Sequence, residues 1–240
     1  MKNYDEERSE KLLKLYSGAI ADIMDSISSD YRNQTLPSNL RPLTANMKIA
    51  GPVYTVRGNK RFYDDGKDPR YKQMDMLDGI FPGSIIVMDS GDEKSAARWG
   101  ELMSKTSMEK GAKGAIIYGG IRDTEEIIKH QFPVFASYHS PLTAVYRYNI
   151  IDFNNPIIIG EVKINPGDYI FGDIDGVMCI PKEIIDEVIN QAEIVKDKED
   201  IVRKELSLGK NIRDLFEKYK GVLEYKVIYY PNLYNQKTIN

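Results

Sequence analysis

Apolar residues recur along this chain first at helical spacing, then in short strand-like runs, and the alternation of the two predicts an α/β protein. Near the start, Leu12, Leu13 and Tyr16, then Ile20, Ile23, Met24 and Ile27, predict helices over 4–28 with a break at Ser17-Gly18. Short apolar runs over Lys48–Arg57, Ser84–Asp89, Ala115–Tyr118 and Phe132–Ser137 predict strands, with a kink or a sheet edge at Gly51-Pro52. Helical stretches are expected between them over Met74–Ile80, Ala96–Lys110 and Thr124–His130. Asn33–Asn46 reads as a polar loop, and Gly58–Tyr71 as a long charged loop, either a solvated excursion or a substrate flap. Ile157–Ile159, Val162–Ile164, Tyr169–Asp173 and Val177–Ile180 lie so close together that antiparallel or mixed pairing is expected. Pro181 then opens a long helix to about Leu206, and a second covers Asn211–Tyr219. The Tyr- and Asn-rich tail, Leu223–Asn240, is expected to wrap a neighbouring subunit or to be partly disordered.

Residues that break this pattern carry the candidate chemistry. Gly119-Gly120 follows a strand and precedes Arg122-Asp123. Glycines there would let the backbone turn and a ligand approach, and strand C-termini are where open α/β sheets place ligands. Arg122 can grip a carboxylate and Asp123 can hold a hard cation, or the two can form a plain surface ion pair. Gly100 interrupts the Ala96–Lys110 stretch, and a helix starting there would offer the free amides of Gly100, Glu101, Leu102 and Met103 to an anion. Glu199 falls on the apolar stripe of the long helix, which is costly for an acid unless it is paired or reaches a wet site. Asp173–Gly176 reads as a tight turn rather than a calcium loop. His130 and His139 have no ligand spacing and read as polar surface residues.

Composition narrows the picture. A 240-residue chain, 42% hydrophobic, suits a globular protein, and a single domain is expected because no boundary or repeat is visible. The formal net charge of -3 gives no field to attract nucleic acid. The single cysteine, Cys179, sits in an apolar run and reads as core filler. No apolar run approaches the ~20 residues of a membrane span, and the charged first ten residues lack a secretory h-region, so a cytoplasmic protein is expected. There is no nucleophile elbow, Walker loop or dinucleotide fingerprint.

Taken in order, Pro82-Gly83-Ser84, Gly100-Glu101-Leu102-Met103, Gly114–Asp123, Phe132–Ala136, Pro166-Gly167-Asp168 and Asp173–Val177 resemble the RraA-like superfamily. The likeness, from about Tyr16 to Tyr219, is strongest to its 4-hydroxy-4-methyl-2-oxoglutarate aldolase and oxaloacetate decarboxylase branch. That branch is marked by an acid, twenty residues, then Arg-Asp, matched here by Glu101, Arg122 and Asp123; many of its members have aspartate where this chain has Glu101. The resemblance implies a compact β/β/α swivelling-domain sandwich with flanking N- and C-terminal helices, assembled as homotrimers or hexamers. It implies a metal-dependent lyase acting on a small 2-oxo acid, with Mg²⁺ or Mn²⁺ bound directly by Asp123. Glu101 and, from a neighbouring subunit, Glu199 would act through water, with Glu193 as the competitor for that last role. Arg122 and the amides of Gly100, Glu101, Leu102 and Met103 would hold the substrate. The same superfamily contains a regulator that binds a ribonuclease without known catalysis, which lacks the aspartate after the arginine. A demethylmenaquinone methyltransferase reading finds no glycine-rich nucleotide loop to support it.

Overall fold

The computed structural model describes residues 4–63, 66–91 and 94–219, so the Leu223–Asn240 tail lies outside the described residues. Contacts divide the described chain into two compact units. One runs to Ser17 and resumes over Asn33–Ile185; the other joins Gly18–Arg32 to the chain from Asp186 onward.

The first unit begins with α1 (Tyr4–Leu13) and, after the loop, β1 (Arg41–Pro42) and β2 (Ile49–Lys60). Then come α3 (Pro69–Asp78), β3 (Ile85–Asp89), β4 (Ala97–Trp99), α4 (Glu101–Glu109), β5 (Gly114–Ile121), α5 (Thr124–Lys129) and β6 (Val134–His139); α2 (Ser17–Ile27) belongs to the second unit. β7 (Tyr148–Phe153), β8 (Ile157–Ile159), β9 (Val162–Ile164), β10 (Tyr169–Asp173) and β11 (Gly176–Ile180) complete it. Its main sheet runs β1-β6-β5-β3-β2-β10-β11, with β4 beside β5 and β7 beside β2. The β2-β3-β5-β6 centre is parallel, and the β1, β7, β10 and β11 pairings are antiparallel. This is a mixed α/β architecture with flanking helices, as the family resemblance implies.

Both faces of the central strands are buried, as parallel strands covered on each side require. On β3, Ile86 and Met88 join one apolar cluster while Ile85 and Val87 join the other. Cys179 is buried in the second of these, as core filler should be. The later strands pair antiparallel as expected, β8 with β9 and β10 with β11. Asp173 closes the β10–β11 turn by accepting the Asp175 amide at 3.0 Å and also accepts the Ser17 amide at 2.9 Å.

Four readings need correction. Residues 97–99 are a strand, not helix, and α4 begins only at Glu101 with Gly100 as its N-cap. The glycine pair does not turn the chain: Gly119 and Gly120 continue β5. The charged loop is shorter than expected, because β2 extends to Lys60 and pairs with β7. α3 then starts at Pro69, five residues before the predicted Met74, with the Asp68 carboxylate accepting the Arg70 amide as cap.

In the second unit, α6 (Ile185–Ser207) starts after a turn at Pro181–Ile184 and buries Val188, Ala192, Val195 and Val202. α2 buries Ala19, Ile20, Ile23 and Met24, and α7 (Ile212–Lys218) is capped by Asn211. Among the described residues, no helix is long and apolar enough to cross a membrane.

Candidate active site

β4 and β5 run parallel, with Trp99 opposite Ile121, so the residues leaving both strands emerge side by side. Those residues are Gly100-Glu101 and Arg122-Asp123. The Arg122 amide donates to the Trp99 carbonyl at 3.0 Å, which fixes the two exits together. Trp99 Nε1 in turn donates to Ser104 Oγ at 2.7 Å, tying β4 to the first turn of α4.

Asp123 is held in a left-handed conformation, φ 57 and ψ 33, uncommon outside glycine although aspartate tolerates it better than most residues. It caps α5 without a side-chain capping bond, so its carboxylate is turned elsewhere. Oδ2 meets Arg122 Nε at 3.6 Å and the Glu101 amide at a long 3.4 Å. Both side chains are 46% exposed, so the ion pair itself adds little stability. A Cβ at position 100 would stand 2.7 Å from Asp123 Oδ2, so the glycine is what admits this carboxylate. Strained residues that the surroundings hold in place cluster at functional sites.

These residues line a cavity of about 480 Å³, in the size range of small-molecule pockets. Gly100, Leu102, Met103, Arg122 and Asp123 all contribute to its wall. The start of α4 leaves amide donors without intrahelical acceptors beside it. Arg70, from the end of the stretch read as a charged loop or substrate flap, also lines the wall, now at the start of α3; the rest comes from segments that the sequence did not mark: Gln73 and Met74 on α3, Arg98 on β4, and Thr143–Val145 with Tyr148. Arg61 braces that side by donating to the carbonyls of Tyr63, Lys67 and Val145.

Glu101 does not line the cavity. Its Oε1 lies 2.9 Å from His130 Nε2, and its side chain is 21% exposed. His130, read from the sequence as a polar surface residue, is partly exposed and has Glu101 as its polar partner. His139 Nδ1 stands 2.8 Å from Thr124 Oγ1, next to Asp123 in the chain. Glu199 lies on α6 in the second unit, half-buried, with Oε2 at 2.6 Å from Arg203 Nη2 of its own helix. Glu193 is also half-buried on α6.

Among the described residues, no group of three or more His, Cys, Asp or Glu side chains could hold a metal by itself. Asp123 offers one open carboxylate beside the cavity. That fits a hard, largely hydrated cation such as Mg²⁺, which binds through one or two carboxylates and keeps several waters. It does not fit a structural zinc.

A family model described as "RraA-like: Aldolase/RraA" matches residues 20–179. An uncharacterized protein of Methanocaldococcus jannaschii is 36% identical over 85% of this chain and 97% of its own length. A Halalkalibacterium halodurans protein provisionally named a 4-hydroxy-4-methyl-2-oxoglutarate aldolase is 28% identical over 80% of this chain and 84% of its own. The Legionella pneumophila protein DlpA is 27% identical over 88% of this chain, which spans only 33% of DlpA's length. Among solved structures, Streptomyces coelicolor RraAS2, described as an unusual member of the RNase ES inhibitor RraA family, matches with a TM-score of 0.73. It is 19% identical over 85% of this chain and 98% of its own, a likeness of fold.

Proposed function

Because the chain belongs to the RraA-like family, we propose that it is a divalent-metal-dependent lyase that cleaves a 2-oxo acid to release pyruvate. The substrate is a 4-hydroxy-2-oxo acid such as 4-hydroxy-4-methyl-2-oxoglutarate, or oxaloacetate, which loses carbon dioxide by the same bond cleavage. The observation that carries this reading is Arg122-Asp123 opening onto the same cavity as the free amides of α4. Relatives named as aldolases support it.

Arg122 grips the substrate carboxylate and faces the oxygen of the 2-oxo group. The amides of Leu102 and Met103, at the positive end of α4, orient the same pyruvyl unit. Breaking the C3–C4 bond leaves a pyruvate enolate, and the guanidinium of Arg122 is the cation placed to stabilise it. No lysine lines the cavity among the described residues, so a Schiff base has no candidate there. Asp123 would hold Mg²⁺ or Mn²⁺ directly, with Glu101 and Glu199 of a neighbouring subunit acting through water. Bound there, the cation would supply Lewis-acid polarisation of the 2-oxo group. For Glu101 this role means leaving His130 or sharing its carboxylate with it. The assembly that would bring Glu199 across is a homotrimer or hexamer.

The test is pyruvate release, followed with a coupled dehydrogenase, from a panel of 2-oxo acids with Mg²⁺ or Mn²⁺. Chelator and Asp123→Ala should each abolish it. Activity surviving both would remove the metal role. No cleavage of any 2-oxo acid would leave the ribonuclease-regulator reading.

A further inference from the structure

Arg70, Gln73, Met74 and Leu77 form one stripe along α3, at i, i+3, i+4 and i+7. Leu77 packs against the core cluster that contains the buried Met76, and this anchors the end of the stripe. Its first three residues line the cavity. The helix is pinned where it stands. Asp68 caps its start, and the buried Tyr54 hydroxyl donates to the Met76 carbonyl at 2.8 Å. Side chains on the stripe therefore reach the cavity from a fixed backbone.

Beyond Arg122 and Asp123, most of the wall is apolar or already engaged. Met74, Val145 and Ile150 offer hydrocarbon. Arg70 is closed onto Asp68, with Nε at 2.9 Å and Nη2 at 2.5 Å. Arg98 donates to the Ala96 carbonyl at 2.6 Å and to the Tyr138 hydroxyl at 3.0 Å. The Tyr148 hydroxyl donates to the Asp89 carbonyl at 3.1 Å, and Thr143 Oγ1 accepts the Val145 amide at a long 3.4 Å. Gln73 differs from all of these. It is half-buried, and its side-chain amide makes no hydrogen bond or ion pair among the described residues. A glutamine amide carries an acceptor oxygen and donor hydrogens together, so it can serve a hydroxyl or a carbonyl.

A 2-oxo acid held at its carboxylate and 2-oxo group by Arg122 and the α4 amides extends C4 toward the rest of this wall. We infer that Gln73 is a specificity-determining residue that binds the C4 hydroxyl of the substrate, selecting 4-hydroxy-2-oxo acids as the substrate class. The inference rests on the proposed lyase chemistry of the same cavity. When the C3–C4 bond breaks, its electron pair passes to C3 as the enolate. The C4 hydroxyl loses its proton and becomes a carbonyl, and one proton is taken up at C3 as pyruvate forms. Gln73 Oε1 accepts from the hydroxyl before cleavage, and Nε2 donates to the new carbonyl oxygen after it. The C4 carboxylate of oxaloacetate has no hydrogen to give Oε1 and must shed its hydrogen bonds to leave as carbon dioxide. The same amide therefore does not favour it. A site built to hydrogen-bond a substrate hydroxyl discriminates against an analogue that lacks one.

The experiment compares wild type, Gln73→Met and Gln73→Glu, each checked by near-UV circular dichroism and thermal melting. Two readouts are taken with Mg²⁺ present. One is the ratio of kcat/KM for 4-hydroxy-4-methyl-2-oxoglutarate to that for oxaloacetate. The other is calorimetric binding of 2,4-dihydroxypentanoate against 2-hydroxypentanoate, which lack the 2-oxo group and cannot be cleaved. Losing one hydrogen bond predicts a fall of about 5- to 30-fold in the first ratio for Gln73→Met, with the binding preference for the 4-hydroxylated ligand abolished. Gln73→Glu keeps the acceptor and should retain part of both. If Gln73→Met does not fold, Gln73→Glu decides, by a fall smaller than 5-fold but measurable in each readout. An unchanged ratio in a folded variant overturns the inference, as does an equal loss on both substrates. Wild type that releases pyruvate but shows no preference for the hydroxylated ligand overturns it too, and leaves the lyase reading intact. Wild type that releases no pyruvate yet prefers that ligand, with the preference lost in Gln73→Met, would remove the lyase reading and leave the assignment of Gln73 standing. Wild type that neither releases pyruvate nor binds either ligand overturns both.

Discussion

Gly100→Ala separates what the site needs from what the fold needs. The backbone at Gly100 is extended, φ -153 and ψ -173, open to any residue. Alanine is a poorer N-cap than glycine, costing about 0.5–1 kcal/mol. Its smaller unfolded-state entropy returns about 0.4–1 kcal/mol. Net stability should therefore change by less than about 1 kcal/mol, a Tm shift of roughly 2–4 °C in a chain of this size. The new methyl group would stand 2.7 Å from Asp123 Oδ2, while its other contacts, Arg122 Cγ and Nε, are at 3.5 and 3.7 Å. To reach ordinary contact near 3.4 Å the carboxylate must retreat by about 0.7 Å. A misplacement of about 1 Å costs on the order of 10²-fold in rate, so kcat/KM should fall about 10- to 100-fold. Half-saturation by Mg²⁺ should move upward. Calorimetric melting, steady-state pyruvate release and a Mg²⁺ titration on the same preparation would measure all three. Unaltered turnover and Mg²⁺ dependence at a native Tm would refute the claim that Gly100 places Asp123. A Tm lowered by ten degrees or more would show the glycine to be a folding requirement instead.

Two further outcomes are expected. Cys179 is buried and its thiol is pushed well above the ordinary cysteine range by desolvation, so the thiolate that reacts is scarce at neutral pH. Its labelling by an aromatic disulfide reagent should be slow in the native protein and fast in denaturant, and rapid native labelling would contradict the packing around β11. For Glu199, mixing inactive Arg122→Ala with Glu199→Ala subunits should restore part of the activity if that acid serves a neighbouring site. No restoration, with subunit exchange demonstrated, would confine Glu199 to its own helix, where Arg203 already holds it.

The elements legible in the sequence were those whose burial is strong and periodic. β3 and β5 are apolar on both faces, and α6 carries a regular buried stripe. α3 was misplaced because only Met76 on it is buried, leaving its Pro69–Lys72 start indistinguishable from a charged loop. β4 has three residues, all buried, in a stretch that equally suits a helix. β7 is mostly half-buried and was not seen at all. Within the site, Gly100–Met103 and Arg122-Asp123 stood out because glycine and charge interrupt apolar runs. The partnership of His130 with Glu101, 29 positions away, has no local signal, since folding alone brings them together. Arg98 did leave a trace: an arginine between Ala97 and Trp99, surrounded by residues that become core.

On the proposed lyase reading, the left-handed backbone at Asp123 also bears on how that chemistry can be lost. Asparagine and glycine are the other residues that occupy this conformation at low cost, and each is a single base change from an aspartate codon. Either replacement would erase the carboxylate while leaving the turn into α5 unstrained. A catalyst built this way lies one mutational step from an intact, inert scaffold, free to be recruited for binding alone. Its neighbours in sequence space can therefore be catalysts and non-catalysts sharing one well-folded shape.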